Sequence, residues 1–153
     1  MSGSMLKERL VDAPPTGRPT VLLCHELPDG SRHVDWMIAR DPRGRGRLIT
    51  FRLPGRVDSL PDGERMNAQE IGLHRSVYLE YEGPVSRGRG RVERLRAGRV
   101  VSWDKEPDLW TLEVLWERDP GSGAASRRQR LRLERQKVRQ WVVWAGNLPD
   151  SAG

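Results

Sequence analysis

The sequence predicts an all-β fold: a single small closed β-barrel of about eight mostly antiparallel strands with long basic loops. Two observations carry this. No window sustains a helical period, and short alternating runs recur at close spacing with turn residues between them. The cleanest run is Leu109 to Glu117, LWTLEVLWE, which puts Trp110, Leu112, Val114 and Trp116 on one face and Thr111 and Glu113 on the other. Eight or so such strands are enough to close a barrel whose interior side chains fill.

In chain order, residues 1–19 read as a flexible N-terminal arm, because Ala13-Pro14-Pro15-Thr16-Gly17 stops any helix begun near Met5. The barrel domain is expected over residues 20–146, and 147–153 form a Pro/Asp/Ser/Gly tail. Val21 to Arg40 reads as a hairpin turning at Pro28-Asp29-Gly30, with Pro fixing φ and Gly available for a left-handed position. Asp41 to Arg47 is a Gly/Arg loop and Leu48 to Leu53 a strand. Pro54 to Gln69 lacks periodicity and reads as a long loop or crossover. Val77 to Tyr81, VYLEY, reads as a strand. Ser86 to Trp103 is expected as two strands about a turn at Ala97-Gly98. Arg130 to Glu134 and Val138 to Ala145 complete the set. Trp110, Trp116 and Trp141 are expected in the core, with one or two of the six tryptophans available to stack on bases.

Composition narrows the partners. Basic residues outnumber acidic ones, 27 to 21, and all but Lys7, Lys105 and Lys137 are arginine. A forked guanidinium matches phosphate oxygens, so a polyanion is a plausible partner, although arginine-rich codon usage produces the same count. No run has the length and apolarity of a membrane span or a leader. The lone Cys24 excludes an intrachain disulfide, and the expected location is the cytoplasm. Cys24 is expected to point away from the patch described next.

With a three-residue hairpin loop, His25 faces His33 and Leu23 faces Asp35. Opposed residues share a face with Cβ atoms about 5 Å apart, so His25, His33 and Asp35 converge. Two imidazoles and a carboxylate suit a divalent transition metal with open coordination positions. Surface or core histidines are the ordinary alternative. The RGRGR stretches at Arg43 to Arg47 and Arg87 to Arg91 offer phosphate clamps, or simply solvated loops.

His25, then His33-Val34-Asp35-Trp36, then His74-Arg75-Ser76-Val77-Tyr78-Leu79-Glu80-Tyr81-Glu82-Gly83, followed by the Gly-rich Ser86 to Gly90, resembles the 3′-phosphoesterase domain of bacterial DNA ligase D. RLRLERQKVRQWVVWA is similar to that family's closing strands. The resemblance runs from Val21 to Ala145 and implies a free-standing barrel that binds Mn²⁺, or another divalent transition metal, through His25, His33 and Asp35; a monomer is expected. It implies a DNA-repair activity that trims nucleic-acid 3′ ends, DNA or RNA, for a DNA ligase or repair polymerase. His74 and Tyr78 match the family's catalytic histidine and tyrosine. Two family residues are missing: Met37 stands where the family has an arginine and Gly72 where it has a glutamate. The His25–His33 interval is also two residues longer, which preserves facing parity. Arg45, Arg52, Arg87 and Arg89 are the arginines that can take over phosphate and nucleic-acid binding. A degenerate relative acting as a nucleic-acid or protein interaction module is the alternative reading, and a small-molecule-binding barrel the third.

Overall fold

The computed structural model describes residues 17–146, so the proposed arm (apart from its last residues) and the tail lie outside the described residues. Nine strands follow in order: β1 (Arg18–Glu26), β2 (Arg32–Ile38), β3 (Leu48–Leu53), β4 (Arg65–His74), β5 (Gly83–Pro84), β6 (Arg91–Lys105), β7 (Leu109–Trp116), β8 (Arg127–Lys137) and β9 (Gln140–Ala145). All pairings are antiparallel. Eight strands run β1-β2-β3-β4-β9-β8-β7-β6 and close through β6 on β1, leaving β5 as a short addition on β6. The fold is a closed eight-stranded β-barrel with one extra strand.

The interior is filled by the inward residues of every strand of the barrel, with Trp36, Phe51, Trp110, Trp116 and Trp141 among them. Three of these indole N–H groups find side-chain acceptors. Trp36 donates to Thr20 Oγ1 at 2.9 Å, Trp116 to Gln129 Oε1 at 2.8 Å and Trp141 to Glu70 Oε1 at 2.9 Å.

Four sequence expectations are corrected. Val77 to Tyr81 is no strand: Ser76–Leu79 is a 3₁₀ turn lying on the outside of the wall. Its alternation mimics a strand, but Tyr78 and Leu79 instead cover apolar residues of β1 and β2. Ala97-Gly98 is no turn: β6 runs through it unbroken, because a Cβ at Gly98 would lie 2.6 Å from the Leu115 carbonyl oxygen. Glycine here permits close strand approach, not reversal. The Pro54–Gln69 loop is shorter than expected, since Val57–Ser59 forms a 3₁₀ turn and β4 begins at Arg65. Finally, Arg18 and Pro19 belong to β1, so the sheet starts two residues inside the proposed arm.

One part of the interior is polar. Arg56 Nη2 donates to Asp58 Oδ2 at 2.7 Å and to Asp119 Oδ2 at 2.9 Å, while Arg96 Nη1 reaches Asp58 Oδ2 at 3.2 Å. Arg96 also donates to the carbonyls of Glu117 and Ala125. Burial is the largest influence on Asp119 and opposes its ionisation. Hydrogen bonds from Ser122, the Gly121 N–H and Arg56 together outweigh burial and bring the carboxyl down to about 2. Its folded-state value lies below the unfolded one, so its stabilisation is present above 3.8 and is lost as pH falls toward about 2. Urea midpoints measured across that window are therefore expected to drop more steeply in the wild type than in Asp119→Asn. Parallel curves would remove Asp119 from the acid limb.

Candidate metal centre

The centre is built on the outer face of the barrel wall. Leu27 N–H donates to the Ser31 carbonyl at 2.8 Å and Gly30 N–H to the Leu27 carbonyl at 2.9 Å, closing the hairpin about Pro28-Asp29-Gly30. The register that follows pairs His25 with His33 and Leu23 with Asp35. Outer faces of small barrels usually meet water, yet β1 and β2 are buried on both sides. A second apolar cluster explains this: Val21, Leu23, Met37, Leu48 and Val92 lie under Tyr78, Leu79, Tyr81 and Val85. The 3₁₀ turn and the 84–90 loop thus roof the hairpin.

His25 Nδ1 lies 3.2 Å from His33 Nε2 and 3.6 Å from Asp35 Oδ2, and His33 Nε2 lies 3.1 Å from Asp35 Oδ1. One donor atom from each residue falls within 4.8 Å of the others. His25 Nε2 is 2.7 Å from the Arg89 carbonyl oxygen. A carbonyl only accepts, so Nε2 carries the hydrogen and neutral His25 turns the Nδ1 lone pair toward the centre. Gly90 makes that contact possible. Its φ is +88°, and a Cβ there would collide with the Glu26 carbonyl, so only glycine lets the loop lie this close to β1.

The electrostatics fit a cation. Burial raises the Asp35 carboxyl above its usual range, against the pull of His33, His25, His74 and Arg52. Burial is also the main reason His33 is held below its ordinary value, with Asp35 acting the other way. Asp35 Oδ1 is buried and makes no well-formed hydrogen bond, although His33 Nε2 is near. A buried carboxylate with one oxygen left without a hydrogen bond, and with an imidazole nitrogen beside each of its two oxygens, is what a divalent ion satisfies.

A cleft of about 430 Å³ opens from the centre, lined by His25, Asp35, Met37, Arg52, His74, Tyr78 and Arg89 among others. Arg52 arrives from β3 as the cross-strand partner of Asp35. His74 arrives through a bulge: the four residues of β4 from Ile71 to His74 lie opposite only three of β3, from Thr50 to Leu48. Without the extra residue, His74 would face the other side. Its Nδ1 donates to the Gly72 carbonyl at 2.7 Å, leaving Nε2 as an acceptor, and its ring packs edge-on against Tyr78 at 6.0 Å. Arg89 contributes its carbonyl, and its guanidinium is tied to Ser86.

The remaining two arginines stand elsewhere. Arg45 pairs with Asp41 at 2.9 Å on the 41–47 loop and does not line the cleft. Arg87 is exposed at φ +63° in the turn before Arg89 and also stays outside it. Cys24 lies on the opposite face of β1 from His25 and is half-buried, and burial pushes its thiol up. Sequence reasoning missed the Arg89 carbonyl and the apolar floor of Met37 and Ile71. The Gly90 position was the only signal for the first.

Among the described residues no helix is long and apolar enough to cross a membrane. Comparison with protein-family models and with curated proteins finds no match to this chain.

Proposed function

We propose that the protein is a metal-dependent phosphoesterase acting on nucleic-acid 3′ ends, with Mn²⁺ as the expected ion. One observation carries the reading: two imidazole nitrogens and a buried carboxylate oxygen without a hydrogen bond converge at the head of a cleft that also holds His74, Tyr78 and Arg52. A divalent ion held by His25, His33 and Asp35 supplies Lewis-acid polarisation of a phosphoryl oxygen and a more acidic water.

The chain's own groups do the rest. His74 lines the cleft with Nδ1 engaged by the Gly72 carbonyl, so its Nε2, when protonated, is the atom that would donate to the departing ester oxygen. Tyr78 packs on the His74 ring and holds its orientation. Arg52 makes no hydrogen bond or ion pair among the described residues, so its donors are available to a phosphoryl group. Val85, Ile71 and Met37 make one wall apolar, which lowers the local dielectric and strengthens each of these contacts. The repair role, and a DNA ligase or repair polymerase as the recipient of the finished end, belong to the same proposal.

Loss of the family arginine at Met37, which is buried beneath the roof, favours a second reading in which the barrel only binds nucleic acid or protein. One assay separates the two. Purified protein is incubated with a 3′-phosphorylated primer-template, with and without Mn²⁺, beside His33→Ala. Phosphate release that requires Mn²⁺ and vanishes in His33→Ala is expected. Binding without release, equal in both proteins, would establish the interaction module instead.

A further inference from the structure

A second groove shares Tyr78 with the metal-centre cleft. Its volume is about 590 Å³, larger than the cleft itself, and Tyr78 lines both. Val77, Tyr81 and Pro84 give it a largely apolar wall, and Arg47 and Arg75 stand in its lining. Tyr78 and Tyr81 pack edge-to-face with ring centroids 6.0 Å apart, and the Tyr81 hydroxyl donates to the Pro84 carbonyl. That bond fixes one aromatic surface in place. Neither Arg47 nor Arg75 makes a side-chain hydrogen bond or ion pair among the described residues. No acidic residue lines the groove, so both guanidinium groups await an external anion.

We infer that this groove is a subsite for the nucleotide next to the one whose phosphoester lies at the metal centre. Its base rests against Val77, Tyr78 and Tyr81, and its phosphate pairs with Arg47 and Arg75. The inference rests on the phosphoesterase reading for the occupant of the neighbouring cleft. The groove's own chemistry selects the class of ligand. Flat aromatic surface takes any base, and two forked cations at the edge take the phosphate that links it to its neighbour. The volume is in the range of sites that enclose a small organic ligand. Because Tyr78 lines both compartments, a ligand that fills both is a chain with one unit in each. Contacts to ring faces and phosphate alone read no sequence, so the subsite confers preference for a strand over a free mononucleotide, not for particular bases.

The test is equilibrium binding of 5′-dye-labelled oligothymidylates carrying a 3′-phosphate, from one to four nucleotides, followed by fluorescence anisotropy with chelator present. Excluding metal separates the groove from the chemistry at the centre. Wild-type protein is expected to bind the dinucleotide about tenfold more tightly than the mononucleotide, with little further gain at four. Arg47→Ala combined with Arg75→Ala is expected to erase that gain and to flatten the salt dependence by about 0.7 in log–log slope for each phosphate no longer neutralised. Val77→Glu, an exposed position that leaves the core intact, is expected to erase it by placing a carboxylate in the groove. Affinity independent of length, or a length gain that survives all these substitutions, overturns the subsite. Phosphate release that fails while the length gain and its disappearance in the variants persist overturns the catalytic reading and leaves the groove standing.

Discussion

Asp58→Ala is expected to destabilise the barrel by about 3–5 kcal/mol, a large part of the stability of a domain this size. Asp58 is 1% exposed and Arg96 4% exposed, so their ion pair is out of solvent. Burying such a pair gains little over an apolar substitute, but removing one partner strands the other. Arg96 would keep its bonds to the Glu117 and Ala125 carbonyls and lose its counter-charge. Arg56, held above its ordinary pKa chiefly by its hydrogen bond to Asp58, retains Asp119 and is half-exposed, so it suffers less. The urea midpoint should fall with an unchanged m-value. Asp58→Asn, which keeps the acceptor oxygen and loses the charge, should fall between the two. A wild-type midpoint in Asp58→Ala would show that the network is dispensable.

That network was invisible in the sequence for a reason specific to β6. Arg94 and Arg96 are two apart and, in a regular strand, would share a face. A register shift opposite Leu22 and Leu23 puts an extra residue, Leu95, into β6. Arg94 therefore faces outward, where its Nη2 donates to the Leu79 carbonyl, while Arg96 turns inward to Asp58. A single bulge reverses parity, and nothing local announces it. The partners are also remote: Asp58 is 38 residues from Arg96, and Asp119 is 63 from Arg56.

The hairpin cluster was legible for the opposite reason. Turn chemistry and period-2 alternation determine the relative positions of His25, His33 and Asp35 within 11 consecutive residues, and no bulge intervenes. His74 sits between these cases. The motif resemblance singled it out, but its arrival in the cleft depends on the β3–β4 bulge. The roof was misread because Val77 to Tyr81 alternates like a strand. Its apolar residues cover a wall instead of entering one.

Of the four arginines the sequence offered for phosphate, the fold brings to the cleft one guanidinium, that of Arg52, without a hydrogen bond or ion pair among the described residues, and Arg52→Ala is expected to lower kcat for phosphate release by about a hundred- to a thousandfold. The family that the sequence resembles carries its arginine two residues after the metal-binding aspartate. Here that position is Met37, whose cross-strand neighbour is Thr50, and the arginine stands across from the aspartate itself. Arg52 and Asp35 project from adjacent strands onto one face, so the cation reaches the patch from β3 instead of β2. In the proposed reaction Arg52 would stabilise the charge that develops on the phosphoryl group in the transition state, so kcat should fall more than KM rises. Mn²⁺ affinity, measured separately by titration, should stay near the wild-type value because Arg52 is no ligand. Arg52→Lys should recover part of the rate, since it restores the charge but not the two-pronged geometry. Arg45→Ala, whose side chain is committed to Asp41 outside the cleft, should leave kcat unchanged. Wild-type kcat in Arg52→Ala, with a loss in Arg45→Ala, would mean that the 41–47 loop closes over the substrate and that the clamp belongs to it.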